Sequence, residues 1–135
     1  MKIPFHKPIL PKNLSSIFPE SIKDGWLTTG PQVKKFESSL SNYLNVKNVI
    51  AVNSCTAALH LGLSAKGFGK GDKFLAPTYT FVATIEVGEY LSMKPILIDC
   101  EEDSFNIDLN AVEHQLKTDK DVKAVIPVHF SGEPV

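Results

Sequence analysis

The sequence predicts an α/β fold, a mainly parallel sheet with helices on its faces, and three observations predict it. Apolar runs rich in Val and Ile alternate four times with segments of helical period. The runs stop at Asn53-Ser54, at Pro77 and near Pro127, residues that end strands or start helices. The composition is that of an ordinary globular domain: 135 residues, 43% hydrophobic and 21% charged, enough to bury a core. Strand–helix–strand order implies right-handed crossovers and therefore parallel neighbours.

Residues 1–13, rich in Pro and Lys, read as an extended arm, and Asn13 to Lys23 as a short helix ending at Asp24-Gly25. Trp26-Leu27-Thr28-Thr29-Gly30 is a loop, and Pro31 suits a first helical residue because its missing N–H would have no partner there. Val33, Phe36, Leu40, Tyr43 and Leu44 recur at helical spacing, so Pro31 to Leu44 is an amphipathic helix. A strand over Asn48–Val52 and a helix over Cys55–Lys66 follow. Gly67 to Asp72 is a turn, Lys73 to Ala76 a short buried strand, Tyr79 to Leu91 a helix and Pro95 to Asp99 a strand. Asp108 is placed to cap a helix reaching Leu116, and Val122 to Val128 is the last apolar strand. His129 to Gly132 would then lie beyond the carboxyl end of a strand, where parallel sheets hold ligands. The final strand is followed by no closing helix, as expected of a piece of a longer fold.

Several function classes are excluded. A net charge of −1 offers no dominant attraction to nucleic acid or to an anionic membrane. No apolar run approaches the roughly 20 residues of a membrane span, and the N-terminus lacks the apolar core of a signal peptide. Cys55 and Cys100 form no disulfide or metal spacing, which fits reduced thiols in a cytoplasmic protein. All 14 basic residues are lysines. Arginine's bidentate fork for a carboxylate or phosphate is therefore not supplied by these residues.

Ser54-Cys55-Thr56 carries the sharpest chemistry. A helix entered through small hydroxyl residues presents unpaired N–H groups and a positive dipole end, which suit a phosphate. An N-cap on a tightly packed helix explains the same triplet, and neither the Walker pattern nor the dinucleotide fingerprint is present. Cys55 at a helix start is a weak candidate nucleophile, and no base is placed beside it by sequence. His60, more than a turn further on, reads as a surface or packing residue rather than a ligand. Tyr79 and Phe81 stand at the next strand-to-helix junction, where an aromatic can lie over a ring-shaped ligand or simply join the core. A phosphate cup and an aromatic shelf on neighbouring loops point to a phosphorylated aromatic cofactor. Asp99, Glu101, Glu102 and Asp103 could act as acid and base or form a solvated loop. His129 could serve as a base or as a structural hydrogen-bonding group.

Taken together these segments resemble the DegT/DnrJ/StrS family of sugar-nucleotide aminotransferases. The matching blocks are Trp26–Pro31 with Phe36-Glu37, Ala51–His60, Gly69–Asp72, Pro77–Thr84, Lys94–Asp99 with Phe105–Asp108, and Pro127–His129. The resemblance implies the type I fold of pyridoxal-phosphate enzymes, with 1–30 as arm and substrate-side loop and 31–135 as part of the cofactor-binding large domain. It implies a cytoplasmic homodimer that moves an amino group, usually from glutamate, to a nucleotide-linked keto sugar, commonly for surface polysaccharide synthesis. By position, Cys55 and Thr56 would hold the phosphate of pyridoxal 5'-phosphate and Ser54 would shape that turn. Phe81 would stack on the pyridine ring, and Thr28, Thr29 and Gly30 would lie near the sugar. The family's Schiff-base lysine and the acidic partner of the pyridine nitrogen fall downstream of His129, so no catalytic residue is assigned here. The resemblance thus implies the amino-terminal part of such an enzyme, inactive alone. A non-catalytic binding subunit, a related sugar dehydratase and a nucleotide-phosphate site in a doubly wound domain stay open.

Overall fold

A computed structural model describes residues 10–13, 16, 23, 25 and 28–135. The expected helix over Asn13–Lys23 lies mainly outside them. Two compact units are present, one ending at Ala51 and one running from Val52 to Val135.

In the first unit, helix α1 spans Pro31–Leu44 with Pro31 in its first turn. It stops where Asn45 turns left-handed (φ 51°), and the N–H groups of Asn45 and Val46 reach back to the carbonyls of Asn42 and Ser41. The sequence stripe overstates what α1 buries: Phe36, Tyr43 and Leu44 are exposed, while Val33 and Leu40 are half-buried. The expected strand Asn48–Val52 is not formed. A strand needs a ladder partner, and this segment has none among the described residues; Ile50 is 78% exposed. The Glu37 carboxylate instead accepts the Ala51 N–H at 2.8 Å.

The second unit is a three-stranded parallel sheet, β1 Lys73–Pro77, β2 Lys94–Ile98 and β3 Val122–Val125, in the order β2-β1-β3. Its helices are α2 (Cys55–Ala65), α3 (Ala83–Glu89) and α4 (Leu109–Thr118). The central strand alternates between two cores, as a period of two requires. Phe74 and Ala76 pack with Leu63, Val87, Met93 and Ile126, the side covered by α2 and α3. Leu75 packs with Ile98, Ile107 and Val112, the side covered by α4. Both faces of β1 are dry, which is why its sequence is a continuous apolar run.

Several boundaries differ from expectation: β1 runs one residue further, β2 starts and ends one residue earlier, α2 stops at Ala65 and α3 at Glu89, and three larger or more telling differences follow. Helix α3 begins at Ala83, not Tyr79, because Thr78 donates to the Ile98 carbonyl across the sheet at 2.8 Å and residues 78–82 form a loop. Strand β3 ends at Val125; Ile126 still donates to Leu75 at 2.8 Å, but Pro127 has no N–H to continue the ladder. Helix α4 runs on to Thr118 from the expected cap, Asp108, whose Oδ1 accepts from the N–H groups of Asn110 and Ala111 at 2.8 and 3.3 Å. At the amino end of β1, Lys73 Nζ pairs with Asp119 at 2.7 Å and Asp121 at 3.5 Å. Hydrogen bonding to Asp119 raises the Lys73 pKa above its ordinary value, and the same bond lowers that of Asp119.

Candidate functional site

The carboxyl edge of the sheet is built from the loops after each strand and from the start of α2. Ser54 is the extended N-cap of that helix (φ −157°, ψ 158°). Its Oγ accepts from the Ala57 N–H at 3.1 Å, and its carbonyl accepts from the Ala58 N–H at 3.1 Å. Two donors of the first turn are left: the Cys55 and Thr56 N–H groups have no partner among the described residues. No acidic side chain stands in that turn to compete for them, so the dipole end stays free for an anion. Cys55 is an exposed free thiol and Thr56 is half-buried. Across an apolar groove of about 440 Å³, Cys55, Ala58, Leu59 and Gly62 face Val125, Ile126 and Pro127. The start of α2 thus sits beside the carboxyl end of β3.

The loop after β1 contributes Tyr79 and Phe81. Phe81 is 76% exposed, so it is a surface ring rather than a core side chain. Helices α2 and α3 pack together, and Leu59 and Ile85 share one core, which places the helix start and the Phe81 loop on the same face. Thr80 Oγ1 donates to Thr84 Oγ1 at 2.7 Å and ties that loop to the first turn of α3. Thr28, Thr29 and Gly30 belong to the first unit. The two threonines are exposed, and Gly30 is buried at the N-cap of α1 with its carbonyl accepting from the Lys34 N–H at 3.3 Å.

Sequence reasoning missed an aromatic cluster on this edge. Tyr79, Phe105 and Phe130 follow β1, β2 and β3 respectively, with ring centroids 4.8 Å (Tyr79–Phe105), 5.2 Å (Tyr79–Phe130) and 4.7 Å (Phe105–Phe130) apart. One aromatic in each post-strand loop was the available signal. Beside it, Thr78, Tyr79, Asp99, Glu101, Glu102 and Phe105 line a cavity of about 370 Å³. Asp99 is tied down locally, accepting from Thr78 Oγ1 at 3.2 Å and from the Cys100 N–H at 2.8 Å. His129 has the hydrogen-bonding role, its Nδ1 accepting from the Val135 N–H at 3.0 Å, so the neutral ring carries its proton on Nε2. His60 packs edge-on against Tyr90, with centroids 5.7 Å apart. Tyr90 in turn donates to Glu86, and that bond raises the phenol's pKa. Among the described residues no group of His, Cys, Asp and Glu is arranged to hold a metal, and no helix is long and apolar enough to cross a membrane.

Comparison with known proteins shows the family of the chain. The profile of the DegT/DnrJ/EryC1/StrS aminotransferase family matches residues 10–135. The chain belongs to that family. It is 37% identical over 131 residues to the spore coat polysaccharide biosynthesis protein SpsC of Bacillus subtilis (strain 168), covering 97% of this chain and 33% of the relative. Among solved structures it superimposes on the putative sugar aminotransferase Spr1654 from Streptococcus pneumoniae in its PLP form. That match has 30% identity and a TM-score of 0.90, and covers 100% of this chain and 34% of that one. It also matches ntda from Bacillus subtilis with bound cofactor PMP, at 31% identity and a TM-score of 0.83, over 92% of this chain and 28% of that one. The α/β architecture is therefore that of the pyridoxal-phosphate aminotransferases. The chain spans about a third of the length of the relatives it matches.

Proposed function

We propose that this member of the DegT/DnrJ/EryC1/StrS family is the amino-terminal, cofactor-phosphate-binding part of a pyridoxal-phosphate-dependent sugar aminotransferase. The observation that carries the reading is the pair of N–H groups, Cys55 and Thr56, at the start of α2 that have no partner among the described residues. These two donors and the Thr56 hydroxyl would hold the cofactor phosphate. Ser54, by taking the Ala57 N–H itself, fixes the turn so that only Cys55 and Thr56 face the ligand. Because backbone groups do the holding, a cysteine at position 55 serves as well as a smaller residue. The exposed Phe81 ring is available to stack on the pyridine. When bound, the cofactor supplies the electron sink that amino transfer needs.

The finer reading is an amino transfer from glutamate to a nucleotide-linked keto sugar in a cytoplasmic homodimer, with Thr28, Thr29 and Gly30 near the sugar. This chain alone has no transaminase activity, since none of its 14 lysines stands in the family's Schiff-base context. A second reading, a subunit that acts by binding a partner, is favoured by the strand edges of β2 and β3, which have no ladder partners among the described residues.

Equilibrium dialysis tests the first reading. Pyridoxamine 5'-phosphate, which cannot form an imine with surface lysines, should bind and be displaced by inorganic phosphate. Tighter binding of a nucleoside diphosphate would overturn the cofactor assignment. Borohydride reduction in the presence of pyridoxal 5'-phosphate should leave no stoichiometric pyridoxyl-lysine at a single site; finding one would contradict the stated inactivity.

A further inference from the structure

Two sequence blocks, Phe105-Asn106-Ile107-Asp108 and Pro127-Val128-His129, have no part in holding the cofactor phosphate. One side chain links the first to the turn that follows the second. Asn106 is only 7% exposed. Its Oδ1 accepts from the Phe130 N–H at 3.3 Å, a hydrogen shared with the Val128 carbonyl at 3.0 Å, and its Nδ2 donates to the carbonyls of Glu133 and Pro134, each at 3.4 Å. These bonds are long, but a buried amide must find partners, and among the described residues no buried side-chain polar atom is left without one. The backbone of Asn106 is equally fixed, because its carbonyl accepts from the Glu101 N–H at 3.0 Å and Cys100 bridges Ile107.

The turn that Asn106 holds is one the backbone resists. Ser131 (φ 54°, ψ 18°) and Gly132 (φ 84°) are successive left-handed residues, and the serine carries a Cβ that disfavours this conformation. Such a turn persists where its surroundings hold it in place. It carries Phe130, whose ring meets Phe105 and Tyr79, and Tyr79 shares the post-β1 loop with Phe81.

We propose that Asn106 is a positioning residue of the cofactor site: it fixes the His129–Gly132 turn and, through Phe130 and Tyr79, sets the loop that presents Phe81. This rests on the stacking role assigned to Phe81 above. Asn106 acts by placement and takes no part in the chemistry.

Amide exchange of the full chain, followed residue by residue by NMR, tests it. In Asn106→Ala the Gly132 and Glu133 amides, which donate within the turn to the His129 and Phe130 carbonyls, should lose at least about tenfold of their protection, while the sheet amides of Thr78 and Ile126 change by less than about twofold. Asn106→Asp keeps the acceptor for Phe130 but points a carboxylate at two carbonyls. Protection at Gly132 and Glu133 should then recover as the pH falls below about 4, where the acid can donate again, beyond any change in the wild type. With saturating pyridoxamine 5'-phosphate, the Phe81 amide response should fall by about half or more in Asn106→Ala, with the Cys55 and Thr56 responses retained. Gly132 and Glu133 protection within about twofold of the wild type, or equal loss throughout the sheet, overturns the proposal. So does an unchanged Phe81 response. If the wild type shows no ligand response at Cys55 and Thr56, the cofactor reading fails instead, and the exchange data alone judge the Asn106 contact.

Discussion

Replacing Gly88 by alanine opposes two effects whose sizes the structure decides. Gly88 lies inside α3, where exchanging glycine for alanine ordinarily gains about 1 kcal/mol of helix propensity. Here the added Cβ would stand 2.2, 2.4 and 2.8 Å from three atoms of the Phe74 ring. Carbon–carbon contact needs roughly 3.5 Å, so helix or ring must move by more than about 1 Å. Phe74 is 0% exposed and packed among Leu63, Val87 and Met93, which leaves it nowhere to go. Overpacking of this kind costs about 1–3 kcal/mol, and so hard a clash belongs at the upper end. Subtracting the propensity gain predicts a net loss of about 2 kcal/mol, or roughly 8–16 °C in Tm for a unit of this size. Gly62 is the matched control: it lies within α2, and its added Cβ meets nothing within 4 Å. Gly62→Ala should therefore stabilise by up to about 1 kcal/mol. Thermal and urea unfolding of the two variants supply the assay. If both shift stability in the same direction, the packing of α3 on β1 described above is wrong.

The remaining predictions concern capping, charge and the phosphate cup. Ser54→Ala orphans the Ala57 N–H and should lower stability by about 1 kcal/mol in urea unfolding, as should Asp108→Ala at the start of α4. Asp119 has its pKa lowered by Lys73, so that pair's contribution is fully present above the ordinary carboxylate pKa of 3.8 and is lost as the pH falls through the still lower folded value. Lys73 has its pKa raised, so the same contribution persists up to 10.5 and fades only above it. The Tm difference between wild type and Asp119→Asn should accordingly be flat through neutral pH and vanish in acid. Thr56→Val removes one hydroxyl donor to a charged ligand and should weaken pyridoxamine 5'-phosphate binding about tenfold. Cys55→Ala, which keeps the backbone donor, should stay within about twofold, both read by equilibrium dialysis.

What could be read from the sequence was whatever depends on near neighbours. Pro31 and Asp108 mark helix starts because the groups they leave free or satisfy lie within one turn. Ser54 is legible for the same reason, and with it the two N–H groups behind it that have no partner among the described residues. Val49-Ile50-Ala51-Val52 has a strand's composition, but becoming a strand requires an edge to pair with, which no local pattern reports. The late start of α3 depends on a bond from Thr78 to Ile98, twenty residues away in the chain. The aromatic cluster and the Asn106 contacts join three separate loops, and only the folded sheet brings those loops to one edge. Phe81 was ambiguous between core and surface until its exposure was known.

The central claim is that the start of α2 is a cofactor-phosphate site, and amide shift mapping tests it most directly. Titration of the labelled chain with pyridoxamine 5'-phosphate should move the Cys55 and Thr56 amides most, with a smaller response at Phe81. Pyridoxamine without the phosphate should leave Cys55 and Thr56 unmoved. Equal shifts from the two compounds would contradict the account, as would a response confined to the groove lined by Lys34 and Lys47 in the first unit.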